Sequence, residues 1–282
     1  MTWILEAFDP AFMQRALAAG LLAVVATSVV GTWVVLRGLA FLGDALAHGV
    51  VPGIALAILW GFNPILGAFV AAIVMTGLVG IVSSRTSVKE DTGIGLLFVG
   101  MLSLGIVIVS KARSFATEVT ALLFGDVLGV TADDIRVQLV AALVVVVVGV
   151  ALHRPLLALT FNREKALTLG MRPGLTHGAL MVLLALSIVA SFQAVGTLLV
   201  FGLLVGPPAT AGLLVSRVPM MMIASVLFGA CAVIAGLTIS FHYGTAGGAT
   251  MAGLSVAQFF VVLAAKEAIE WKNRGRGAVA AT

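Results

Sequence analysis

In the stretch "LRGLAFLGDALAHGVVPGIALA", Leu36 to Ala57, an aspartate and a histidine stand four residues apart, Asp44 and His48, in otherwise apolar surroundings. An i, i+4 spacing puts both side chains on one face of a helix. A carboxylate oxygen and an imidazole nitrogen together suit a borderline divalent cation such as zinc or manganese. Two ligands fall short of the four that close a structural site. A transit site needs such an incomplete shell, because the ion must leave again. A structural reading stands beside this one: Asp44 caps a helix N-terminus and His48 bonds a neighbouring carbonyl. Pro52 with Gly43, Gly49 and Gly53 makes the segment irregular, and irregular backbone is tolerated in a membrane where it lines a cavity.

Three further groups could carry function. Glu164, Ala166 and Gly170 form E-x-A-x-x-x-G between Pro155 and Pro173. A charged helix start, a small residue and a helix-ending glycine suit a short helix that docks into a cleft of a cytoplasmic partner, or one that lies on lipid headgroups. Gly206, Pro207 and Pro208 interrupt an apolar run, with Gly202 and Gly206 spaced as G-x-x-x-G. Each proline removes a helical amide bond, so a break or kink is expected near 206–208, with close helix contact at the glycines. His242, in "SFHYGTAGGA", lies at an outer span end as a solvated residue or a ligand. His153 and His177 flank the inner loop without an assigned role, and the lone Cys231 cannot form an internal disulfide.

The elements that must position these residues follow from composition. Of 282 residues, 61% are hydrophobic and only 10% charged, against roughly 25% charged in soluble domains. The chain is therefore an integral membrane protein. Uncharged runs cover 16–36, 45–84, 92–110, 137–153, 173–216 and 218–265. One membrane-spanning helix takes about 20 residues, so three of these runs hold two spans each. Nine spans result, or eight if one is only a half-span: 16–36, 44–60, 64–84, 92–110, 136–152, 174–193, 195–215, 219–240 and 248–266. A β-barrel would need alternating polarity, whereas "LVAALVVVVVGVAL" (Leu139 to Leu152) is apolar on every side. The fold class is an all-α polytopic bundle forming a single transmembrane domain over 1–282. The first apolar run reads as a retained span rather than a signal peptide.

With nine spans, twelve of the sixteen Lys and Arg residues fall on one side, four on the other. The positive-inside rule then puts the N-terminus outside and the C-terminus in the cytoplasm. The net charge of +4 is spread over loops and gives no nucleic-acid footprint. The outer loop 111–136 reads as a short interfacial helix followed by a turn. The inner loop 153–174 reads as a short amphipathic helix, and the tail 267–282 as solvated and without fixed structure. No run matches the phosphate-cradling G-x-x-x-x-G-K-[ST], so any ATP hydrolysis belongs to another chain.

These segments resemble a known family. "GTWVVLRGLAFLGDALAHGVVPGIALA" is similar to the signature of the permease subunits of bacterial zinc and manganese ABC importers. "LLFGDVLGVTADDI", "FNREKALTLGMRP" and "VGTLLVFGLLVGPPATA" resemble that family's outer, cytoplasmic and apolar motifs in the same order. The resemblance implies a cobalamin-importer-like (type II) permease in the bacterial inner membrane, working as a homodimer on a cytoplasmic ABC ATPase dimer and fed by an extracytoplasmic metal-binding protein. It implies no permanent cofactor, only transported Zn²⁺ or Mn²⁺. By correspondence, Asp44 and His48 contact the ion and Glu164 to Gly170 form the coupling helix. The family's D-T-P-A-G-P ending is replaced here by Gly244 to Ala249, which loses an acidic residue and leaves His242 as the substitute. Zinc is expected ahead of manganese. A cobalamin- or siderophore-type permease is the alternative within transport, and an intramembrane metal-dependent enzyme the alternative outside it.

Overall fold

The computed structural model describes residues 6–85, 90–110 and 129–279, and every regular element among them is an α-helix. In chain order these are α1 (Ala11–Leu36), α2 (Ala40–Gly49), α3 (Val51–Trp60), α4 (Pro64–Arg85), α5 (Glu90–Val109), α6 (Ala132–Ala151), α7 (His153–Phe161), α8 (Arg163–Thr168), α9 (Pro173–Leu214), α10 (Val218–Tyr243) and α11 (Gly247–Val279). Among the described residues, eight helical stretches are long and apolar enough to cross a membrane, and a ninth, Leu199–Leu214, is shorter. The short segment is therefore this one and not 44–60, where α2 and α3 together form a stretch of 21 residues.

Helix α1 packs on α6, α9 and α10, and its inner faces are buried through Ala16, Ala19, Ala23, Val30 and Trp33. Small residues set the approach. A Cβ on Gly20 would stand 2.7 Å from Val233, and one on Gly229 2.7 Å from Val24. The pairing of rising with falling numbers makes α1 and α10 antiparallel. At Gly31 a Cβ would meet the Leu204 carbonyl oxygen at 2.0 Å, so only glycine admits α9 there.

The topology of α9 corrects the expected break at 206–208. Its backbone is helical through Pro207 and Pro208, and the non-helical residue is Gly196, at φ 75 and ψ 163. A positive φ of this kind favours glycine. Gly196 separates α9a (Pro173–Phe192) from α9b (Leu199–Leu214). His177 at the start of α9a touches Arg37 at the C-terminus of α1, so α9a runs antiparallel to α1. In α9b, Gly202 meets Ala252, Gly206 meets Ser255 and the Leu213 carbonyl accepts from Lys266, so α9b is parallel to α11. Since α11 is antiparallel to α10 through Gly236 and Met251, α9b runs in the direction of α1. The chain reverses at Gly196. The prolines do not break the helix because only their own amide bonds are lost, and the carbonyl freed by Pro208, that of Leu204, lies against Gly31.

Two other expectations change. The tail is not without structure: α11 continues through Val279. The inner loop holds two short helices, α7 and α8, rather than one. Of the outer loop, 111–128 lie outside the described residues; beyond them Thr131 and Asp134 form a capping box that starts α6.

Candidate functional site

The helix that carries Asp44 and His48 begins at a fixed corner. Arg37 ends α1, Gly38 takes a left-handed φ of 67, its N–H donates to the Val35 carbonyl, and the Leu39 N–H donates to that of Val34. This double bond pattern is a Schellman ending. Helix α2 then starts at Ala40, with Leu39 as its N-cap. Asp44 is therefore inside the helix, which removes the capping explanation for its presence.

Glycines seat α2 among its neighbours. A Cβ on Gly43 would stand 2.4 Å from Leu204, and one on Gly49 2.0 Å from the Met75 sulfur. His48 Nε2 stands 3.6 Å from Asp44 Oδ1, and the two side chains are 24% and 31% exposed, His48 first. That separation is beyond a hydrogen bond. Two donors each ~2.1 Å from one ion, at right or tetrahedral angles, stand about 3.0–3.4 Å apart. Modest rotamer adjustment brings the pair to that spacing. The ring of Phe98 lies 5.8 Å from the His48 ring and 6.2 Å from that of Phe41, giving the site an aromatic wall. No cluster of three or more His, Cys, Asp or Glu occurs among the described residues, so no third side chain of these types joins Asp44 and His48 among them.

At the end of the bundle that holds Arg37, α8 carries Glu164 and Ala166. Ala166 is buried while Glu164, Leu167 and Leu169 are exposed. Gly170 ends α8 at φ 73, its N–H donating to the Leu167 carbonyl and the Met171 N–H to that of Ala166. This is a second Schellman ending, and the helix-ending role read from the sequence is the one observed. Phe161, at the end of α7, is 76% exposed. Phe161, Leu167 and Leu169 thus present apolar surface beyond the spans.

His242 stands apart. It is at the end of α10, opposite the end that holds Arg37, and its Nδ1 lies 2.9 Å from the Thr238 carbonyl oxygen one turn back. The structure does not bring it to Asp44 and His48. Two histidines without an assigned role acquire partners: His177 Nδ1 lies 3.0 Å from Arg37 Nη1, and the His153 ring packs 5.4 Å from that of Trp33. Both contacts cross more than a hundred positions of chain, so no local spacing signals them.

The bundle defines a multi-pass membrane protein. Its sequence matches the ABC 3 transport family over residues 9–266, and the chain belongs to that family. It is 38% identical over 240 residues to a manganese transport system membrane protein, MntC, of Halalkalibacterium halodurans, covering 85% of this chain and 82% of that protein. It is 36% identical to the manganese import system permease protein ScaB of Streptococcus parasanguinis, covering 89% of each. With the chelated iron transport system membrane protein YfeD of Yersinia pestis it shares 34% identity, covering 92% of this chain and 86% of that one. Among solved structures, PsaBC from Streptococcus pneumoniae, in complex with Fab, superposes with a TM-score of 0.83 at 30% identity, covering 93% of this chain and 94% of that one. The family resemblance read from the sequence is thus the relationship found, and the chain is a transport subunit, not an enzyme. The expected preference for zinc over manganese finds no support, since these relatives are named for manganese and iron.

Proposed function

We propose that this chain is the membrane-spanning subunit of an ATP-driven importer for a divalent transition metal, with manganese as the cargo. Asp44 and His48 are its transit ligands. The observation that carries the reading is their 3.6 Å approach, partly exposed, on a helix surrounded by apolar spans. Ionisable groups at membrane depth face protein or water rather than hydrocarbon. Their exposure in a single chain therefore fits a pathway completed by a second copy of the subunit, which would add a second pair or enclose water. The names of the manganese relatives favour that ion, and an oxygen and a nitrogen donor suit it without excluding iron or zinc.

The segment from Phe161 to Gly170 is the docking surface for a separate cytoplasmic ATPase, with Glu164, Ala166 and Gly170 forming the coupling helix. Its exposed Phe161, Leu167 and Leu169 fit a cleft of that partner better than they fit cytosol. A metal-binding protein delivers the ion at the opposite end. The deciding experiment is uptake by the complete importer in proteoliposomes. Asp44→Asn combined with His48→Ala is expected to lower manganese uptake at least ~100-fold, the scale seen when metal-site partners are removed, with ATPase assembly retained. Uptake at the wild-type rate would overturn the site. Competition among manganese, iron and zinc reads the cargo directly, and a preference for zinc or iron would overturn the choice of ion.

A further inference from the structure

We infer that Arg37 and His177 form the mechanical link between the ATPase-docking segment and the helix that carries the metal ligands. The inference rests on the transport reading above and names positioning residues that neither touch the ion nor dock the partner.

Two rigid corners and one contact make the link. On the docking side, the Schellman ending at Gly170 fixes α8 to the short connection Met171–Arg172, and α9a begins at once with Pro173. There the Thr176 N–H and hydroxyl both bond the Arg172 carbonyl. His177 is the next residue, on the first turns of α9a. On the ligand side, the Schellman ending at Gly38 fixes the end of α1 to the start of α2 at Ala40, four residues before Asp44. The Arg37 guanidinium donates to His177 Nδ1 across 3.0 Å in a part-buried setting. A displacement of α8 by the partner is thus delivered to the base of α2 through stiff backbone at both ends.

A second contact braces the same place. His153, where the inner loop begins, packs its ring 5.4 Å from Trp33, one turn before Arg37. Trp33 is 1% exposed. The end of α1 is therefore gripped by both flanks of the docking loop, His153 at its start and His177 at its end. Packed side chains, hydrogen bonds and rigid elements carry coupling between distant sites when both sites bias them, and the α1–α2 corner is that element here. Its breakage should separate hydrolysis from transport without emptying the ion site.

The test compares His177→Asn with His177→Leu and adds Arg37→Met, each in the complete importer in proteoliposomes, with manganese delivered per ATP hydrolysed as the readout. Asparagine places its Oδ1 where the histidine Nδ1 stands and keeps an acceptor; leucine keeps the bulk alone. Arg37→Met and His177→Leu are expected to lower the ratio about tenfold, within the usual range of coupling between sites, with hydrolysis continuing. His177→Asn is expected to hold at least half of the wild-type ratio. A wild-type ratio in His177→Leu, or equal losses in His177→Asn and His177→Leu, would overturn the link, the second by reducing His177 to a packing role. If Arg37→Met does not assemble with the ATPase, the two His177 variants carry the test alone. Failure of the wild-type complex to deliver manganese at all would sink the transport reading instead, so the two failures are distinguishable.

Discussion

A single methyl group decides more in this bundle than most charges do. At Gly31 a Cβ would come within 2.0 Å of the Leu204 carbonyl, and at Gly53 within 2.1 Å of that of Gly67, whereas at Gly77 it would meet nothing within 4 Å. Backbone cannot swing aside as a flexible side chain can, so Gly31→Ala forces α1 and α9b apart. Overpacking of this kind costs about 1–3 kcal/mol. Gly31→Ala is expected to lower the thermal midpoint of the purified protein by several degrees and Gly77→Ala to leave it within a degree, as read by fluorescence-detected melting in detergent. Equal midpoints would show that the close approach is not maintained in solution. Asp44 and His48 were legible because their spacing alone puts them on one face. Gly31 was not, because its partner lies on another helix and the sequence prints no distance between them.

At the scale of elements, the sequence pointed to prolines and the chain turned at a glycine. Pro207 and Pro208 are strong local signals, but a membrane helix tolerates them where neighbours approach the freed carbonyls, as Gly31 does at Leu204. Gly196 carries only one of many glycine signals in the sequence, and its left-handed φ of 75 follows from the need to reverse α9 inside the bundle. Gly196→Ala is expected to abolish transport and destabilise the subunit, since a Cβ at that φ and ψ is strained, while Pro207→Ala restores an amide and keeps at least half of the uptake rate. Near-normal uptake in Gly196→Ala would refute the turn. The same contrast explains the tail. Its charge density read as solvated coil, yet α11 continues from the span through Val279.

Across the whole molecule, topology sorts the basic residues between the two ends of the bundle. Helices α1 and α6 run the same way, as shown by Val29 against Gly149 and Trp33 against His153, while α4 returns beside α2 and α3 through Met75 at Gly49 and Gly67 at Gly53. Arg37, Arg85, Arg154, Arg172, Arg217 and Lys266 therefore gather at one end of the bundle, and Arg15 and Arg136 at the other. The number of spans was legible because apolar length alone sets it; their mutual arrangement was not, because helices apolar all round leave no stripe to say which face is inward. Basic loop residues tend to remain on the cytoplasmic side during insertion, and on that ground we propose that Lys272 lies inside the cell and Arg136, 78% exposed, outside. Cysteines placed singly at these positions in a Cys231→Ser background provide the check. A membrane-impermeant maleimide applied to intact cells is expected to label Arg136→Cys and to reach Lys272→Cys only after the membrane is opened. Labelling of Lys272→Cys in intact cells would invert the subunit, moving the docking segment away from ATP and sinking the import mechanism with it.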